Sequence, residues 1–302
     1  MTSSHRAANL LTIRDFTRWA MTQMKIHDVC LGHGTEDYWE EATALVLRKL
    51  GLPFERLEAF WDAKLTPAEI DDVAQAIERR VMEKVPLAYL IHEGWLSGHG
   101  FYVDERVLIP RSFIAELLEE NLSPWIEDPE SVTSVLDMCT GSGCLAILAA
   151  ETFPNAEVTG ADISADALEV AAVNRTRFGL DGMLELVQSD LFENLQGKRF
   201  DLILSNPPYV TQEAMSALPP EYRHEPVLAL GAGDDGMDIV RRMMPQLRHH
   251  LTDEGLAVIE IGDGREAFEA IYPDLPVTWL TTSGGDDLVF AVHAQDLKVL
   301  DN

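Results

Sequence analysis

A chain of 302 residues that is 46% hydrophobic and 25% charged has ordinary globular composition, at a length where one core gives way to two, so disorder and a fibrous repeat are excluded. The longest apolar run, Cys144 to Ala150, is far short of the roughly 20 residues of a membrane-spanning helix, and three cysteines are too few for a disulfide framework. The formal charge of −28 repels a phosphate backbone and suits a basic partner, and it is uneven: 11 basic against 15 acidic residues in 1–95, but 12 against 36 in 96–302. Solubility alone would account for the same composition. Arg14 and Asp15 interrupt the first stretch before any long apolar segment, which argues against an export signal and for a reducing cytoplasm.

Residues 1–94 read as a helical domain without strands. Behind Thr35, the residues Trp39, Ala42, Leu45 and Val46 share one helical face, and Gly51 supplies the stop. Trp39 and Trp61 read as core. Thr66-Pro67-Ala68-Glu69 is a capping box with proline in the first turn, followed by Ile70, Val73, Ala74, Ile77 and Val81 at helical spacing. From Trp95 to Ile109 short alternating runs, broken at Gly98-His99-Gly100 and Asp104-Glu105, predict a β-hairpin, so residues 95–112 form a linker and 113–302 a second domain.

From Ser131 strand-like and helix-like segments alternate: strands near 132–138, 156–163, 184–190, 200–206, 256–262, 277–280 and 287–292, and helices from Gly143, from Ser164, near 237–251 and near 264–272. Runs apolar enough to be buried on both faces mean an α/β fold, doubly wound around a mostly parallel sheet. Ligands of such sheets bind beyond the carboxyl ends of the strands, which directs attention to the loops after Asp137, Ala161, Ser189 and Ser205. His249-His250 are expected to end a helix, where positive charge favours its negative pole. His33, His99 and His224 have no mutual spacing that suggests a metal site.

The stretch Val135 to Cys144 runs a strand through Asp137, Cys139, Thr140, Gly141, Ser142 and Gly143 into a helix start. Glycine there admits a ligand close to the backbone, and the helix N-terminus offers free N–H groups. Nineteen residues past Gly143, Asp162 ends the second strand, where a carboxylate can accept both hydroxyls of a ribose. An adenosine-type cofactor follows; a tight turn with no ligand is the alternative. The dinucleotide fingerprint G-x-G-x-x-G is not met, because Cys139 and Ala146 stand at two of its glycine positions.

The strand Phe200 to Ser205 then delivers Asn206-Pro207-Pro208-Tyr209 to the carboxyl edge of the sheet. This resembles the Asn-Pro-Pro-Tyr motif of methyltransferases that use S-adenosylmethionine to methylate a planar amide-like or aromatic-amine nitrogen. Such a nitrogen shares its lone pair with a carbonyl or ring, so its N–H bonds must be held by acceptors that favour a pyramidal geometry. The Asn206 side-chain oxygen and the Pro207 carbonyl are such acceptors, and Tyr209 offers a ring face for stacking.

Two groups share this tetrapeptide: adenine-N(6) or cytosine-N(4) methyltransferases of nucleic acids, and glutamine-N(5) methyltransferases of proteins. The acidic C-terminal half is unsuited to gripping a nucleic acid, so none is expected to bind this domain directly. Pro86-Leu87-Ala88-Tyr89-Leu90, Val107 to Arg111, Cys139 to Gly143, Asn206 to Tyr209 and Glu225-Pro226 together resemble the bacterial protein glutamine methyltransferases over nearly the whole chain. Gly32-His33-Gly34-Thr35, Leu136 to Thr140, Arg111-Ser112 and Glu221 to Pro226 are similar to the branch acting on the large-subunit ribosomal protein L-three, rather than the branch acting on peptide chain release factors. The resemblance implies a seven-stranded class I methyltransferase sheet behind a small helical, substrate-recognising domain. It also implies S-adenosylmethionine held by Asp137, Cys139 to Gly143, Asp162, Asp190, Leu191 and Asn206, a glutamine held by Asn206 to Tyr209, and a basic ribosomal protein as substrate.

Overall fold

The structure is a computed structural model that describes residues 10–35 and 37–301; residues 1–9, part of the stretch read against an export signal, lie outside it. The chain divides into two compact units: residues up to Gly94 together with Pro219–His224, and Trp95–Leu218 together with the residues from Glu225 on.

In the first unit, α1 (Ile13–Ile26) starts on a capping box between Thr12 and Asp15 and buries Phe16, Ala20 and Met24, which recur every four residues along one face. The second helix, α2 (Tyr38–Lys49), begins at Asp37, whose carboxylate accepts the N–H of Trp39 and of Glu40. Thr35 instead donates its hydroxyl to Glu41 at 2.8 Å. Ala42, Leu45 and Val46 are fully buried as the periodicity predicts, but Trp39 is 42% exposed, which corrects its reading as core. In the first turn of α2 it meets half-buried Trp61 edge-on at 5.4 Å, and the Arg14 guanidinium covers Trp61 at 5.0 Å, so the rings shield one another at the surface.

The third helix, α3 (Pro67–Glu78), carries the expected capping box between Thr66 and Glu69 and runs into a π turn, Arg79–Glu83. The π turn carries Arg80, which is 1% exposed and bonds the Glu41 carboxylate, the Cys30 carbonyl at 2.7 Å and Glu221 at 3.5 Å. Glu221 also accepts the Cys30 N–H at 3.0 Å, which ties the short helix Pro220–His224 into this unit. Removing one partner from a buried ionic cluster of this kind typically costs about 3–5 kcal/mol.

A hairpin of β1 (Gly94–Leu96) and β2 (His99–Phe101) stands at the start of the second unit. It is shorter than the alternating run to Ile109 suggests, because Asp104 accepts both the backbone N–H and the guanidinium of Arg106 and turns the chain there. The main sheet contains β3 (Ser134–Met138), β4 (Glu157–Asp162), β5 (Leu184–Gln188), β6 (Phe200–Ser205), β7 (Leu251–Glu260), β8 (Thr278–Thr282) and β9 (Gly285–His293), in the order β5-β4-β3-β6-β7-β9-β8. The first five in this order are parallel and β9 is antiparallel to both neighbours.

Alternation along the strands builds a core on each face. Val135, Leu202, Leu204 and Val258 pack under α4 (Cys144–Thr152), while Leu136, Ile203, Ala257 and Ile259 pack under α6 (Asp238–His250). A further helix, α5 (Ala165–Arg177), is capped by Ser164. The strand order reverses between β3 and β6, which opens a crevice at their carboxyl ends. His249 and His250 end α6 as expected; the His250 ring stacks on Phe192 at 4.3 Å and 13°, and burial pulls its pKa down, which weakens its role as a charge there. No helix among the described residues is long and apolar enough to cross a membrane.

Candidate active site at the carboxyl ends of the strands

After Met138 the chain turns back on itself, with Cys139 at φ 64° and Gly141 at φ 55°. Gly141 takes this left-handed conformation without steric penalty and has open space where a Cβ would stand; Cys139 takes it at a cost of about 1–2 kcal/mol. Asp137, 1% exposed, braces the loop from behind, accepting the Thr140 hydroxyl at 2.5 Å and the Ala146 N–H at 3.0 Å on one oxygen. Its other oxygen is buried without a hydrogen-bond partner, and burial pushes its pKa up to about 7. At the end of β4, Asp162 accepts the N–H of Gly141 and of Ser164, each at 2.9 Å, and burial raises its pKa. Asp190, beyond β5, pairs with Arg242 of α6 at 2.7 Å.

Asp162 and Asp190 stand on the wall of a cavity of about 190 Å³. Of the residues expected to hold a cofactor, Cys139, Gly141, Asp162, Asp190, Leu191 and Asn206 line it, joined by Pro208. Asp137, Thr140, Ser142 and Gly143 shape the loop without standing on the cavity wall, and Pro207 and Tyr209 also lie off it. Ile163, Leu228, Ile239 and Arg242 line it as well, and sequence reasoning missed them. Ile163 carried a signal, being apolar and next to Asp162; the other three sit on remote segments and carried none.

On the far side of the crevice, Asn206 donates its Nδ2 to the Arg111 carbonyl at 3.2 Å. That bond fixes which end of the amide is which and leaves Oδ1 as the acceptor. Tyr209 donates its hydroxyl to Glu260 at 3.1 Å, and its ring lies so close to Gly262 that a Cβ there would come within 2.6 Å of it. Burial and the Glu260 carboxylate push the phenol pKa well above its usual value. Glu260, 2% exposed, also accepts the Ser112 hydroxyl at 2.6 Å and the Phe113 N–H at 3.0 Å, and burial raises its own pKa. Glu225, buried as deeply, grips Arg111 with two bonds of 2.6 and 2.8 Å.

S-adenosylmethionine carries a sulfonium, an ammonium, a carboxylate and a ribose, and the cradle suits it. Three aspartates, Asp137, Asp162 and Asp190, stand at the ends of successive strands, and one buried carboxylate oxygen of Asp137 lacks a donor. The Gly141 backbone borders open space, so a ligand can approach it closely. On the wall itself Asp190 is paired with Arg242, and Asp162 stands beside the open Gly141 backbone, a carboxylate acceptor next to a site of close approach for a hydroxyl-bearing ligand.

A doubly wound seven-stranded sheet, a glycine loop at the first crevice strand and Asn-Pro-Pro-Tyr at the fourth define a class I methyltransferase. The methyltransferase small domain family matches residues 113–219. The chain is 52% identical over 296 residues, 96% of each protein, to the ribosomal protein uL3 glutamine methyltransferase of Burkholderia pseudomallei (strain K96243). To the enzyme of the same name from Bordetella pertussis it is 51% identical over 289 residues, 96% of this chain and 97% of the relative. The solved ribosomal protein L11 methylase of Lactobacillus delbrueckii subsp. bulgaricus aligns over 63% of this chain and 82% of its own, with 22% identity and a TM-score of 0.43. The chain belongs to the family of ribosomal protein uL3 glutamine methyltransferases.

Proposed function

We propose that this chain transfers a methyl group from S-adenosylmethionine to the side-chain amide nitrogen, N5, of a glutamine in ribosomal protein uL3, in the cytoplasm. The observation that carries the reading is the Asn206 amide: it lines the cavity, and its nitrogen donates to the Arg111 carbonyl, which orients the group and leaves its oxygen as the acceptor that an amide N–H substrate requires. When bound, the cofactor supplies an electrophilic methyl group on sulfur. Asp162 would hold its ribose, the Cys139–Gly143 loop its amino-acid end, and Asp190 and Leu191 its adenine. Asn206 Oδ1 and the Pro207 carbonyl would accept the two amide protons of the glutamine, and the Tyr209 ring, fixed by Glu260, would stack on the amide plane. No base is needed before transfer, since the methylated nitrogen becomes acidic and releases its proton afterwards. The helical unit is assigned recognition of the protein substrate, and the acidity of residues 96–302 favours a basic one.

The reading is tested by offering labelled cofactor with undermethylated uL3, a release factor and an adenine-containing oligonucleotide in parallel. Label is expected in uL3 at one glutamine. Transfer to the release factor or the oligonucleotide in preference to uL3 overturns the assignment.

A further inference from the structure

Resting on that reading, we infer that Glu225 is a positioning residue for the methyl transfer, acting through Arg111 to set which end of the Asn206 amide faces the substrate. The Ile109-Pro110-Arg111 backbone is held at three consecutive points. Glu225 accepts the Ile109 N–H at 3.0 Å, the Pro110 ring fixes its own φ, and the Arg111 guanidinium forks onto both oxygens of the same carboxylate. With the residue before and the side chain after both fixed, the Arg111 carbonyl has one direction available, and it meets Asn206 Nδ2 at 3.2 Å.

A primary amide is nearly symmetric in shape, so Asn206 could turn end over end at little steric cost. In the turned state its NH₂ would face the glutamine NH₂, donor against donor, while its oxygen would oppose the Arg111 carbonyl, acceptor against acceptor. The fixed carbonyl therefore selects the productive orientation. It does so from a carboxylate whose side chain is 0% exposed. Glu225 contributes no group to substrate or cofactor; Glu260 performs the parallel task for Tyr209.

Two measurements test this. In steady-state methylation of uL3, Glu225→Ala is expected to lower kcat by about 10- to 100-fold with KM for cofactor within about twofold, and to add little to Asn206→Ala, because groups acting through one another are not additive. Glu225→Gln, which can still accept from Ile109 and from one arm of Arg111, should recover part of the loss. In the cofactor-free protein, NMR of the Asn206 side-chain NH₂ should show hydrogen exchange roughly fivefold faster in Glu225→Ala, as a net hydrogen bond of about 1 kcal/mol implies. Wild-type kcat in Glu225→Ala, a full further loss on top of Asn206→Ala, or unchanged NH₂ exchange overturns the inference. The exchange measurement needs no substrate, so a wild-type protein that fails to methylate uL3 would sink the proposed function and leave this result standing. If Glu225→Ala does not fold, Arg111→Lys, which replaces the fork by a point charge, carries the same expectations and the same refutations.

Discussion

Two hollows open at opposite ends of the same strands, and the larger is not the one to which the proposed chemistry is assigned. The one at the amino ends, bounded by Ser134, Glu157, Leu184 and Phe200, encloses about 690 Å³ against about 190 Å³ at the carboxyl ends. Its cations stand beside carboxylates, Arg175 with Asp181 at 3.3 Å, Lys198 with Glu185 at 2.5 Å and Arg199 with Asp253 at 3.3 Å, although Arg175 Nε makes no hydrogen bond. The carboxyl-end cavity is instead lined by the Asp162 carboxylate, Asn206 and the Gly141 backbone, which borders open space. The character of the lining, ion pairs at one end and a glycine loop with open backbone at the other, distinguishes the two hollows, and their volume does not.

That contrast fails or gains precision according to four measurements. The largest effect is expected from Asn206→Ala, a loss of about 100-fold or more in turnover, with cofactor affinity changed far less, since one preorganised acceptor is removed. Turnover on uL3 that stays at wild-type level would remove the acceptor from the chemistry. Asp162→Ala should weaken cofactor binding by about 1.5–3 kcal/mol, the worth of a charged hydrogen bond, while the fold survives; unchanged affinity by calorimetry would make Asp162 a brace for Gly141 and Ser164 alone.

Smaller and pH-dependent is the effect of Asp137. Burial raises its folded pKa to about 7, so the native state binds the extra proton and the stability this lends is full below about pH 4 and lost as pH rises towards 7. The cofactor-free wild type should therefore melt progressively lower across that window, and Asp137→Asn should flatten the dependence. A melting profile with the same slope in both proteins would show that Asp137 is already ionised. The smallest effect, within about twofold in turnover and in cofactor affinity, is expected from Lys198→Ala in the amino-end hollow, because an exposed ion pair is worth only about 0–1 kcal/mol. A large loss there would erase the contrast between the two ends.

Much of the carboxyl end was legible because local rules generate it. The alternation from Ser131 gave all seven strands of the sheet, the Thr66 capping box fixed the start of α3, and Asn206 follows a buried strand at the edge where such sheets bind ligands. What escaped was set by distance along the chain. Glu225 meets a residue 114 positions away and Glu260 one 148 away, and neither has a periodicity or spacing that marks it as half of a clamp. Trp39 obeyed the helical period but sits in the first turn, where a ring can lean on Trp61 instead of entering the core. His250 ends its helix as expected, but no spacing marked Phe192, 58 positions earlier in the sequence, as the ring that stacks on it.

The six residues Pro219–His224 leave one compact unit, complete the other and return. In the language of inheritance, the helical unit is therefore not a cassette. A single crossover near Gly94 would give a foreign bundle a Glu221 that its own buried cation never evolved to meet, and would leave Arg80 of the displaced bundle without it. Exchanging the unit intact takes three crossovers, one after Gly94 and one on either side of Pro219–His224, the last of them directly before Glu225, which grips Arg111. The helical unit is thus encoded in two pieces, the second beginning ten residues after Tyr209.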